Sequence, residues 1–236
     1  MCELDRRDLM TGAALIAAGA TLAATDAAAQ APPPAPPRYT PQPLPFDPRA
    51  VPAFSERLLT SHHDNNYAGA VARLGAIQAQ LAGTDFATAP GFLLNGLKRE
   101  ELLATNSMIL HELYFASLGR GGGRPSAALA RRIESDFGSH DRWRAEFVAM
   151  GKALGGGSGW VLLTWSPRVG RLVNQWAFDH TMVLADGRAL IALDMYEHAY
   201  HIDFGARAAA YVDAYMVALD WSNADRLYAR AAAERG

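Results

Sequence analysis

Asp194-Met195-Tyr196-Glu197-His198-Ala199-Tyr200 follows the apolar run Ala189 to Asp194, which is short enough to be a strand, and sets a carboxylate and an imidazole four residues apart. Upstream, His62 and His111 fall on stretches with helical periodicity. Three imidazoles and one carboxylate make a complete ligand set for a redox metal. A nitrogen and oxygen set without thiolate suits iron, manganese or zinc, and imidazole with carboxylate does not by itself choose among them.

Working back from that motif, the apolar stretches Trp160 to Trp165, Leu172 to Phe178 and Ala189 to Asp194 read as three antiparallel strands. Ser166-Pro167 and Asp186-Gly187 serve as turns. Two helices, near Ser126 to Phe137 and His140 to Leu154, precede the glycine run Gly155-Gly156-Gly157. Earlier still, Leu58, His62, Asn66, Ala70 and Leu74 recur every four residues, which predicts a helix from about Phe54 with His62 on its inward stripe. A second helical stretch, about Leu97 to Leu118, puts Ser107, His111 and Phe115 on one face with Met108 beside them. The breakers Gly119 to Gly123 and Pro125 then separate the two halves. Helices rich in alanine and tyrosine close the chain from about Ala206. The expected fold is α+β: a long N-terminal helical hairpin over 46–120, then a C-terminal α/β domain over 124–236 with a three-stranded antiparallel sheet.

The 236 residues, half of them apolar, can bury one substantial core or two small ones. A formal charge of -2 gives no overall electrostatic case for binding nucleic acid, so attraction for an anionic substrate must be local. Cys2 is the only cysteine, which excludes an internal disulfide and a cysteine metal cluster. Residues 1–29 read as a targeting signal. Arg6-Arg7 precedes the apolar run Leu9 to Ala24, and Ala27-Ala28-Ala29 supplies small residues for cleavage. This resembles a twin-arginine signal, which implies a passenger folded before export to the periplasm, with no membrane attachment once the signal is removed. Residues 30–45, dense in proline, read as an extended linker.

From about Pro45 to Trp221 the chain resembles the iron/manganese superoxide dismutases. The family's C-terminal ligand motif is matched by Asp194, Glu197, His198, Ala199 and Tyr200, and its glycine and tryptophan signature by Gly157-Ser158-Gly159-Trp160. Asp136-Phe137-Gly138-Ser139 falls where the family has phenylalanine, glycine and serine between two helices, and the hairpin matches without a gap from Ser55 through His62 to Leu74. Carried over residue by residue, the resemblance implies that His62, His111, Asp194 and His198 hold one iron or manganese ion. His62 is preferred to His63 because it keeps Val71 and Leu74 on the family's apolar positions. His111-Glu112 also suggests a zinc protease helix, but Phe115 stands where the second histidine would be.

The resemblance implies disproportionation of superoxide to dioxygen and hydrogen peroxide. Zinc is then excluded, because that reaction needs an accessible redox couple. Several surrounding positions depart from the family. Ala70 replaces a tyrosine at the substrate entrance, Asn66 the histidine that assists it, His201 the tyrosine reaching that histidine from the partner subunit, and Tyr196 the tryptophan inside the ligand motif. Family members hydrogen-bond the metal's solvent with a glutamine or histidine. Here the helix position is Ser107, and His180 falls at the sheet position. His180 and Tyr196 are therefore expected to tune the site, while Arg207 resembles the family's arginine near the channel mouth. The family also implies a homodimer in which Glu197 of each subunit bonds His198 of the other. The competing reading is a metal-binding or interaction protein on the same scaffold, with weak or no dismutase activity.

Overall fold

A computed structural model describes residues 37–233, so the signal and the first part of the proline-rich stretch, residues 30–36, lie outside the described residues. The N-terminal half begins with α1 (Glu56–Ser61), continues through a single π-helical segment (His62–Tyr67) into α2 (Ala68–Ala82), and returns along α3 (Gly91–Ala116). Ser55 starts the helix by accepting the Leu58 N–H on its Oγ at 3.0 Å. The same serine is tied to the far half of the chain, because its N–H and hydroxyl both donate to Asp203. Leu74, Ile77 and Leu81 of α2 meet Ala104 of α3 in a small core that closes the hairpin.

The π segment changes the expected pattern. A four-residue repeat places Asn66 and Ala70 inward after His62, yet the buried residues are His62, Tyr67, Val71 and Leu74. A turn closed five residues apart adds one residue to the winding, so the inward stripe advances by one position. Asn66 and Ala70 are left half-buried, on the wall of a cavity described below. Helix α3 also starts earlier than its periodicity suggests. Phe92 and Leu93 face solvent, so the first turns carry no amphipathic signal.

Beyond Gly121 the C-terminal half holds α4 (Ala127–Phe137), α5 (His140–Ala153), β1 (Trp160–Ser166), β2 (Arg171–Ala177) and β3 (Arg188–Asp194). It ends with α6 (His201–Phe204), α7 (Ala208–Ala218) and α8 (Ser222–Ala233). Ser126 and Ser139 cap α4 and α5, each hydroxyl accepting a backbone N–H three residues on. The sheet is antiparallel with order β2-β1-β3, and the central strand is buried along its whole length. Helices α4 and α5 pack on β1 and β2, while α3 and α8 pack on β3. One continuous core therefore runs from Leu58 and Phe115 through Trp160 and Leu193 to Tyr211 and Trp221.

The register sets the site. Trp160 pairs with Asp194 across β1 and β3, so the strand-opening tryptophan and the last residue of β3 lie side by side. Gly159 makes this possible: its φ is +134°, and a Cβ there would stand 2.2 Å from the Ala177 carbonyl oxygen. Its own carbonyl accepts the Met195 N–H at 2.9 Å, fixing the chain just past Asp194.

Candidate metal centre

His62, His111, Asp194 and His198 come together from the π segment, α3, the end of β3 and the turn that follows it. One ligand atom from each lies within 4.8 Å of every other. Asp194 Oδ2 is 3.1 Å from His62 Nε2, 3.1 Å from His198 Nε2 and 3.6 Å from His111 Nε2. His111 Nε2 and His198 Nε2 are 3.4 Å apart. Adjacent donors each about 2.1 Å from a common ion stand roughly 3.0–3.6 Å from one another, so these separations fit one shared cation. His63 does not join them: its Nε2 bonds the Gln42 carbonyl oxygen at 2.8 Å.

The electrostatics favour the same occupant. Burial opposes ionisation of Asp194, yet the facing imidazoles of His198 and His62 outweigh it and hold the carboxyl well below its ordinary range. Burial pushes His62 below the usual imidazole value and His111 down to about 3. Neutral imidazoles around one carboxylate are the protonation states a metal needs from its ligands.

Each ligand is held from behind differently. Asp194 Oδ1 accepts the Tyr196 N–H at 2.8 Å, which turns Oδ2 toward the histidines. The Asp194 carbonyl accepts from Tyr211 Oη at 2.7 Å, and Tyr215 Oη donates to Ala192 at 2.8 Å, so α7 pins β3 in place. His111 Nδ1 donates to the Ser107 carbonyl at 2.7 Å, one turn back on α3. That bond leaves Nε2 as the free donor atom.

His180 and Tyr196 both lie beside this cluster. Trp160 Nε1 donates to His180 Nδ1 at 2.9 Å, and since indole only donates, the neutral His180 carries its proton on Nε2. Burial lowers its basicity. The Tyr196 ring stacks between His180, at 4.8 Å and 10°, and His198, at 5.4 Å and 14°. Burial, reinforced by the Asp194 charge, pushes the Tyr196 phenol up to about 12. A cavity of about 310 Å³ leads to His111, His180 and His198 past Asn66, Ala70 and Ser107. Arg73 stands on its wall, paired with Glu100, whereas Arg207 is exposed and bonds the Phe204 carbonyl. The four-residue stripe through Ala70 turns Arg73 outward, so the spacing alone gives no signal for its place on the cavity wall.

A cluster of three histidines and an aspartate, all buried except the half-buried His198 and built between a helical hairpin and a three-stranded sheet, defines a mononuclear metal protein of the α+β class. The family model for iron/manganese superoxide dismutases, C-terminal domain, matches residues 125–227. An iron superoxide dismutase of Cupriavidus metallidurans is 63% identical over 193 residues, covering 82% of this chain and 98% of that protein. A manganese superoxide dismutase of Halobacterium salinarum is 35% identical over 201 residues, covering 82% and 96%. An iron superoxide dismutase of Aquifex aeolicus is 33% identical over 191 residues, covering 78% and 88%. The chain belongs to the iron/manganese superoxide dismutase family.

Proposed function

We propose that this chain is an exported superoxide dismutase that works as a homodimer, with His62, His111, Asp194 and His198 holding one iron or manganese ion. The observation that carries the reading is the convergence of those four ligand atoms in a buried site of suitable spacing. A scaffold kept only for structural work has no need of it. When bound, the ion supplies the one-electron couple that oxidises one superoxide to dioxygen and reduces the next to hydrogen peroxide.

The surrounding residues do the rest. Asp194 contributes the single negative charge, which leaves the loaded site cationic and attractive to a small anion. His180, protonated on Nε2 through its bond from Trp160, presents a donor at the cavity that a superoxide must enter. The Tyr196 phenol, protonated at neutral pH, holds His180 and His198 in one stack. Phe115 and Trp160 pack against the ligand rings of His62 and His111 and keep the ligand side of the site dry. Arg73, on the cavity wall, adds a cation beside the entrance, whereas Arg207, expected there by its match to the family, does not line this cavity. Ala70 leaves the entrance without a phenol, so the two protons that peroxide formation consumes are delivered by other groups. Purified protein loaded separately with iron and with manganese is expected to remove superoxide in at least one form. Absence of activity in both would overturn the reading.

Glu197 supports the dimer. It is exposed beside His198, and its carboxylate forms no ion pair among the described residues. In a dimer it bonds the partner's copy of the same histidine, giving that ligand the carboxylate backing that metal-bound imidazoles generally have. Glu197→Ala is expected to weaken dimerisation and to raise the rate of metal loss by roughly 10- to 100-fold. Sedimentation and metal analysis check this, and unchanged values count against the proposed link.

Export rests on Arg6-Arg7 and the apolar run behind them. Among the described residues no helix is long and apolar enough to cross a membrane. Replacing Arg6 and Arg7 with lysine is expected to retain the protein in the cytoplasm, as cell fractionation would show. Undiminished export would contradict a twin-arginine route.

A further inference from the structure

His62 lacks the hydrogen-bonded backing that Asp194 and His111 have. Its Nδ1 is buried and meets no hydrogen-bond partner among the described residues. The ring is only packed, against Tyr114 at 4.9 Å and Phe115 at 5.1 Å. Its aim must therefore come from the backbone beneath it, the π segment His62–Tyr67. A lone π turn in an α-helical run has no intrinsic preference for staying wound that way.

Something outside the helix holds both ends of that segment. Gln42, in the proline-rich strap that crosses the hairpin, uses both backbone groups: its carbonyl meets His63 Nε2 at 2.8 Å, and its N–H donates to Tyr67 Oη at 2.8 Å. His63 and Tyr67 bracket the turn, four residues apart, and their rings lie 5.2 Å from each other. Tyr67 is buried, and its hydroxyl donates onward to Glu112 on α3 at 2.8 Å, one residue from the ligand His111. A cavity of about 170 Å³ lined by Pro43, Leu44, His63, Glu112 and Phe115 remains between strap and hairpin. Directed hydrogen bonds, rather than close packing, therefore do most of the tying.

We propose that His63 and Tyr67 are positioning residues for His62, latched by the backbone of Gln42, so that the strap sets the angle at which the imidazole meets the metal. This rests on His62 being a ligand. The latch explains why neighbouring histidines take separate tasks, one facing the ion and one gripping the strap. It also makes Glu112 part of a link between two ligand-bearing elements, through Tyr67.

The test compares iron-loaded full-length protein with Tyr67→Phe and Gln42→Pro. The first removes the hydroxyl that serves both Gln42 and Glu112. The second removes only the N–H of a residue already flanked by Pro41 and Pro43, and keeps the carbonyl for His63. Both are expected to lose iron to a chelator roughly 10- to 100-fold faster and to change the electron paramagnetic resonance spectrum of the ferric site. Glu112→Gln retains an acceptor for the tyrosine and is expected to keep the wild-type spectrum. Wild-type spectra and iron-loss rates in both variants, even with a lowered melting temperature, would overturn the latch. Should Tyr67→Phe fail to fold, Gln42→Pro decides alone. Wild-type protein that binds neither iron nor manganese would instead defeat the assignment of His62 as a ligand.

Discussion

Asp194→Ala is expected to leave the chain without iron or manganese and to lower superoxide removal by roughly a thousand-fold, the equivalent of about 4 kcal/mol. Asp194 is the only carboxylate in the cluster, and its Oδ2 lies closest to two of the three imidazoles. Removing it leaves neutral nitrogens to hold a multivalent cation with no counter-charge in a buried site. It also frees the Tyr196 N–H, which loosens the turn carrying His198. Asp194→Asn separates these effects, since the amide oxygen can still accept from Tyr196 while the charge is gone. Metal per chain and activity should fall in both variants, and the turn should survive only in the second. Full metal occupancy in Asp194→Asn would show that charge is not what retains the ion.

The metal-free protein is expected to lose stability steeply as pH falls below about 6.5, the ordinary histidine value. Burial holds His62 and His111 below that value in the folded chain, the latter at about 3, so the unfolded chain binds protons that the folded chain refuses. Their contribution is present above the unfolded value and drains away as pH drops toward the folded one. Each imidazole contributes a slope of up to about 1.4 kcal/mol per pH unit. Asp194 follows the same direction at lower pH: its folded value is depressed, so its contribution persists above the ordinary carboxylate range and is lost in stronger acid. Urea midpoints of the metal-free protein between pH 7.5 and 5 measure the slope. His111→Leu should flatten it, and a slope unaffected by that change would contradict the assignment.

The ligand motif and the sheet were legible because both rest on short-range spacing. Asp194 and His198 are four residues apart, and each strand is an apolar run closed by a recognisable turn, so the observed β1, β2 and β3 begin and end within a residue or so of the expected positions. His111 was legible for the same reason, since a regular helix fixes Ser107 and Phe115 on its face. The π segment was not legible. Histidine, asparagine and aspartate give no local signal for a five-residue closure, and the four-residue repeat through Asn66 and Ala70 imitates an ordinary helix. What holds that turn lies about 20 residues earlier, in backbone groups of a proline-rich stretch whose composition argues only for extension. Long-range backbone contacts leave no mark on side-chain pattern. The same limit hid Arg73 and the bond from Trp160 to His180, both made by tertiary packing.

The most direct test of the account is a crystal structure of the iron-loaded protein. It is predicted to show one ion per chain, bound by Nε2 of His62, His111 and His198 and by a carboxylate oxygen of Asp194, each at about 2.0–2.2 Å. An ion bound through His63, or one that leaves any of the four out of reach, would contradict it.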